Sequence, residues 1–127
     1  MLDLAGAVVM ALRAVGSALM VLGAFASIVS AIGFHRFKNF YLRLHAATVG
    51  TIWGSVYPMF GASLVALTLE DLGTSRWFVA GAGVLTAFIV LVLGAAGSHA
   101  LARGVHRARL ARVQPCVDDA LDRTLCG

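Results

Sequence analysis

At 127 residues, with 60% of them hydrophobic and only 13% charged, the chain is too apolar for an ordinary soluble domain. Its net charge of +4 does not point to nucleic acid, because the bases sit beside apolar runs and no stacking aromatics are arranged along a groove. Cys116 and Cys126 stand near the C-terminus without a second ligand pair, which supports neither a disulfide framework nor a zinc site and leaves two reduced structural thiols.

The charges are unevenly spread: residues 14–35, 44–69 and 77–102 contain no Asp, Glu, Lys or Arg. A helix of about 20 apolar residues crosses the roughly 30 Å hydrocarbon core, and each stretch is long enough. The predicted fold is an all-α integral membrane protein with three transmembrane helices, over about residues 14–34, 44–69 and 77–102. These make a membrane domain over 1–112, followed by a short cytoplasmic tail over 113–127. Strands are excluded because the runs are continuous, whereas a barrel strand alternates over about ten residues.

In the first span, Arg13, the apolar run after it and Ala24-Phe25-Ala26 imitate the parts of a signal peptide. The run continues to Phe34, however, and the residues before Arg13 are apolar rather than basic, so a retained helix is expected. A helix ending at Phe34 already fills the bilayer by about Val15. The apolar segment from Leu4 to Leu12 therefore either tilts the helix or packs on a neighbouring protein while Arg13 snorkels to the headgroups, with the neighbour preferred.

In the first loop, Phe37, Phe40, Tyr41 and Leu44 recur at i, i+3, i+4 and i+7, one face of a helical turn. With Arg36 and Lys38 beside them, Phe37, Phe40 and Tyr41 read as an interfacial anchor at headgroup depth, in contact with the lipid bilayer. A role at an ion entrance is the alternative.

The second span carries two faces. Ala47, Gly50, Gly54 and Gly61 fall on one side, with Gly50 and Gly54 in GxxxG spacing suited to close helix packing. His45, Thr48, Thr51 and Ser55 fall on another and either hydrogen-bond across helices or help line a hydrated cation path, since hydroxyl oxygens suit a hard cation. Pro58 gives no N–H to the Gly54 carbonyl, so a kink is expected there and the freed carbonyl needs a partner. His45 follows Arg43 where the span enters the membrane, and an imidazole there suits proton exchange or headgroup bonding. No carboxylate lies in any span, so an ion path needs its negative charge from another subunit.

The third span exits through a basic segment flanked by His99 and His106, which have weaker claims. Beyond it, Pro115 ends the helical extension, and Asp118 and Asp119 suit the start of a short final helix. The first loop and the C-terminal segment carry Arg36, Lys38, Arg43, Arg103, Arg107, Arg109 and Arg112, against Arg13 and Arg76 on the other side. The positive-inside rule then puts the N-terminus out and the C-terminus in. No enzyme signature, metal-ligand cluster or cofactor motif is present in the sequence.

Gly33-Phe34-His35-Arg36-Phe37, then Tyr41-Leu42-Arg43-Leu44-His45-Ala46-Ala47-Thr48, then Gly54, resembles the signature of the G subunit of Mrp-type Na+/H+ antiporters, the MnhG/PhaG family. Arg-Leu-His-Ala-Ala-Thr is its sharpest part, and the likeness extends loosely over about residues 10–105. The family's Pro-Asp is Lys38-Asn39 here, its Lys after the Thr is Val49, and its Thr-Leu before the glycine is Ile52-Trp53. The resemblance implies an accessory membrane subunit packed with other small and large subunits, in a complex that as a whole exchanges Na+ for H+. The alternatives are a scaffold in an Mrp-like membrane-bound hydrogenase and a self-sufficient homo-oligomeric transporter. The latter lacks the intramembrane acid expected of small multidrug transporters.

Overall fold

The computed structural model describes residues 2–111. The predicted stop at Pro115, the short helix beginning at Asp118 and Asp119, Arg112 and both cysteines lie outside the described residues.

Helix α1 runs unbroken over Leu2–Arg36. It begins well before the charge-free stretch because nothing between Leu2 and Arg13 breaks a helix, and Asp3 in the first turn complements the helix dipole. At its end the Phe37 N–H still reaches the Gly33 carbonyl at 3.0 Å. Asn39 then takes an extended conformation, and its side chain accepts from the Tyr41 N–H at 2.9 Å, the N-cap of α2 over Phe40–Thr51. The chain therefore turns at residues 37–39, and Phe37 lies in the connection rather than on one helical face with Phe40, Tyr41 and Leu44. Asn caps as well as Asp does, so replacing the family's acid with Asn39 keeps this turn.

The second span continues as a π turn over Ile52–Val56 and helix α3 over Tyr57–Leu67. Where the sequence predicts a kink at Pro58, the helix has a π turn that ends two residues before it. A short 3-10 turn over Glu70–Leu72 and Gly73, at φ +52°, reverse the chain into α4 over Ser75–Arg107. The left-handed φ at Gly73 suits a residue without a Cβ. All three spans are long and apolar enough to cross a membrane.

The α2–π–α3 span is central: α1 packs along one side of it and α4 along another, and α1 and α4 make no extensive contact with each other. What the helices bury is small: Ala46, Val56, Ala66, Ala80 and Ala87, with Ser30, Ser63 and Thr68. The large side chains point away from the contacts, as with Phe25, Phe78, Leu85 and Phe88. This inverts a water-soluble core. In lipid no hydrophobic force drives helices together, so small residues that allow backbone approach form the interfaces.

Candidate functional site

The glycine side of the second span faces α1. A Cβ on Gly16 would come within 2.7 Å of the Gly61 carbonyl oxygen, and one on Gly61 within 2.5 Å of the Gly16 carbonyl oxygen, so two backbones cross here. One turn and more along, Gly23 leaves room for the Pro58 ring. Gly54 and Gly50 then receive Ser27 and Ser30 of α1.

Those serines also make the polar bonds of the interface. The Ser27 hydroxyl donates to the Gly54 carbonyl at 3.2 Å, four residues before Pro58, which has no N–H to offer it. The buried Ser30 hydroxyl donates to the Ala46 carbonyl at 2.6 Å. At the other end of α3, Arg13 donates through Nε to the Thr68 hydroxyl at 3.0 Å and through Nη2 to the Thr68 carbonyl at 2.9 Å. Arg13 thus caps the C-terminus of α3, where a cation meets the negative end of the helix dipole. It is tied to the protein rather than snorkelling freely.

The hydroxyl side behaves differently from its expected cross-helix role. Thr48 donates to the Leu44 carbonyl at 2.8 Å and Thr51 to the Ala47 carbonyl at 3.1 Å, both within α2. Each hydroxyl oxygen retains acceptor capacity. The Thr51 methyl also closes the contact with α4, since a Cβ on Gly94 would lie 2.8 Å from it. Among the described residues Ser55 and the exposed His45 have no side-chain hydrogen-bond partner. The structure therefore does not gather His45, Thr48, Thr51 and Ser55 into one coordination shell.

Arg43 is exposed, but its Nε donates to the Phe37 carbonyl at 2.8 Å and its guanidinium lies 5.6 Å from the centre of the Phe34 ring. It fastens the connection between α1 and α2. Phe40 and Tyr41 meet edge to face at 5.5 Å, and Phe37 remains exposed, an arrangement suited to headgroup depth. Arg36 and Lys38 are exposed beside them.

The α4 contact uses glycines too. Gly83 faces Ser63, whose hydroxyl donates back to the Met59 carbonyl at 2.8 Å, and Gly94 faces Thr51. No group of three or more His, Cys, Asp or Glu that could hold a metal occurs among the described residues.

Sequence reasoning missed the α1 half of the interface. Gly16, Gly23, Ser27 and Ser30 follow one another at helical spacing on one face, a signal hidden because α1 is apolar all round. Arg13 paired with Thr68 has no local signal, since its partner lies 55 residues away.

The chain is similar to an uncharacterised UPF0091 protein of Pyrococcus horikoshii, at 30% identity over 76% of this chain and 82% of the relative. UPF0091 proteins of Rickettsia conorii and Rickettsia prowazekii match at 32% and 30% identity, each over 74% of this chain and 81% of the relative. No solved structure matches the chain. A family model described as a Na+/H+ antiporter subunit matches residues 19–106, which take in the α1–α2 connection, the whole central span and nearly all of α4. The chain belongs to this PhaG/MnhG/YufB family of Na+/H+ antiporter subunits.

Proposed function

We propose that the chain is an accessory membrane subunit of an Mrp-type complex, placed N-terminus out and C-terminus in. In this reading it braces its neighbours and borders the cation path without carrying an ion site of its own. One observation carries the reading: the polar groups between its helices are spent holding those helices together, as at Ser27, Ser30 and Arg13, and the described spans hold no carboxylate beyond Asp3 in the first turn of α1. A cation or proton crossing hydrocarbon generally needs such an acid, so another subunit supplies it. Arg43 and His45 stand at the cytoplasmic entrance, where they position a neighbouring acidic or lipid group, and the Thr48, Thr51 and Ser55 oxygens border the path. The exposed apolar segment from Leu4 to Leu12, above the Arg13 tie, packs on a neighbouring subunit.

The direct test is reconstitution of the purified chain into liposomes holding a pH-sensitive dye, where no Na+-dependent proton flux is expected. Flux from the chain alone would overturn the accessory reading. In the whole complex, Arg43→Ala or His45→Ala should lower antiport with assembly intact. Normal flux in both variants would reduce this region to a membrane anchor. The orientation is tested separately with an impermeant thiol reagent, which should leave Cys116 and Cys126 unlabelled until cells are permeabilised.

A further inference from the structure

Trp53 of the π turn and Tyr57, the first residue of α3, carry two polar groups that no other described residue satisfies. Trp53 and Tyr57 stack with ring centroids 4.6 Å apart and planes 2° from parallel, and Trp53 is 49% exposed. Neither the Trp53 indole N–H nor the Tyr57 hydroxyl has a hydrogen-bond partner among the described residues. Trp53 lies midway along the Phe40–Leu67 span, about 20 Å along the helix axis from either end, and Tyr57 lies about 15 Å from the nearer end. A phenol is far too short to bring its hydroxyl to the headgroups from there. Trp and Tyr ordinarily sit at the bilayer's two interfaces, where water or lipid headgroups take their polar ends. At mid-depth, hydrocarbon offers no acceptor, and an unmet donor is costly.

We propose that the Trp53–Tyr57 pair is the docking point for a transmembrane helix of another subunit of the complex, which presents an Asp or Glu carboxylate as the acceptor. The inference rests on the accessory-subunit reading and deepens it. The indole N–H is a donor only, and the phenol is the stronger for donating to an ionised group, so an acceptor carrying negative charge is the matching chemistry. The one acid in a described span is Asp3, in the first turn of α1 and far from mid-depth, so the acceptor comes from another polypeptide. The π turn is what presents the pair, since it is a local irregularity of the kind often found at functional positions. Ser55 in the π turn adds a third polar group without a hydrogen-bond partner among the described residues.

The experiment uses the assembled complex. A photoreactive phenylalanine replacing exposed Phe60, one turn beyond Tyr57, should join this chain to a span of another subunit, with an Asp or Glu within about one turn of the joined residue. Trp53→Phe and Tyr57→Phe remove only the donors and keep the rings, and each should lower recovery of the complex in detergent about threefold, the size of an average interhelical hydrogen bond in lipid. When the partner's acid is replaced by Leu, the two substitutions should cause no further loss. Adducts only with lipid, with a second copy of this chain or with a span lacking an acid would overturn the proposal, as would full recovery of the Trp53→Phe, Tyr57→Phe double variant. If the native chain fails to copurify with any antiporter subunit, the accessory-subunit reading itself falls; copurification with any of the preceding results defeats the docking point alone.

Discussion

The central span meets its two neighbours through different chemistry. Against α1 it sets backbone on backbone at Gly16 and Gly61 and adds bonds from Ser27, Ser30 and Arg13. Against α4 it sets Ser63 and Thr51 over Gly83 and Gly94, and those hydroxyls bond within their own span. Both contacts gain from close approach, and the first adds directional bonds that fix register. The α1 contact is therefore expected to be the more rigid, with the fit of side chains over glycines holding α4.

The most disruptive test of that difference is Gly16→Leu or Gly61→Leu. Each side chain would meet a carbonyl that cannot move aside, and a loss of about 3 kcal/mol is expected, the upper end for overpacking. Complex yield on a native gel should collapse, and near-normal yield would refute the backbone crossing. Gly50→Leu and Gly54→Leu meet serine side chains that have some freedom, so about 1–3 kcal/mol is expected, with Gly83→Leu and Gly94→Leu at the low end of that range. If the α4 pair proved the more damaging, the assignment of the more rigid contact would be reversed.

Arg13→Ala should cost about 1–2 kcal/mol, because it leaves the Thr68 carbonyl at the end of α3 without its donor. Arg13→Lys should recover only part of this, since an ammonium lacks the fork that reaches both Thr68 oxygens. Thermal unfolding in detergent would read both. Ser27→Ala and Ser30→Ala should cost about 0.6 kcal/mol each. Smallest of all, Gly97→Leu should leave the stability of the isolated chain unchanged, because no described residue stands within 4 Å of the added Cβ.

Much of the second span was legible in advance. The glycine spacing marked residues that meet α1, and Pro58 marked a neighbourhood where the helix departs from regular α geometry, because these are properties of a residue and its neighbours one turn away. The hydroxyl side was read less well. Thr48 and Thr51 have a free choice between a carbonyl four residues back and a partner across the interface, and only the distance between helices decides it. The Phe37 position failed for a related reason: periodicity carried the helix through residues where the Asn39 cap starts a new one.

By itself the sequence determined that there are three spans, where their charges stop, and that no span brings an acid, because the bilayer sets helix length and the cost of charge whatever the fold. It determined family membership through the Arg43 to Thr48 run as well. Only the tertiary structure decided which helix lies between the other two, that Arg13 grips Thr68, and that Ser27 reaches the Gly54 carbonyl. Those outcomes depend on which distant residues stand level when helices cross, and a helix that is apolar on every side does not record its own rotation.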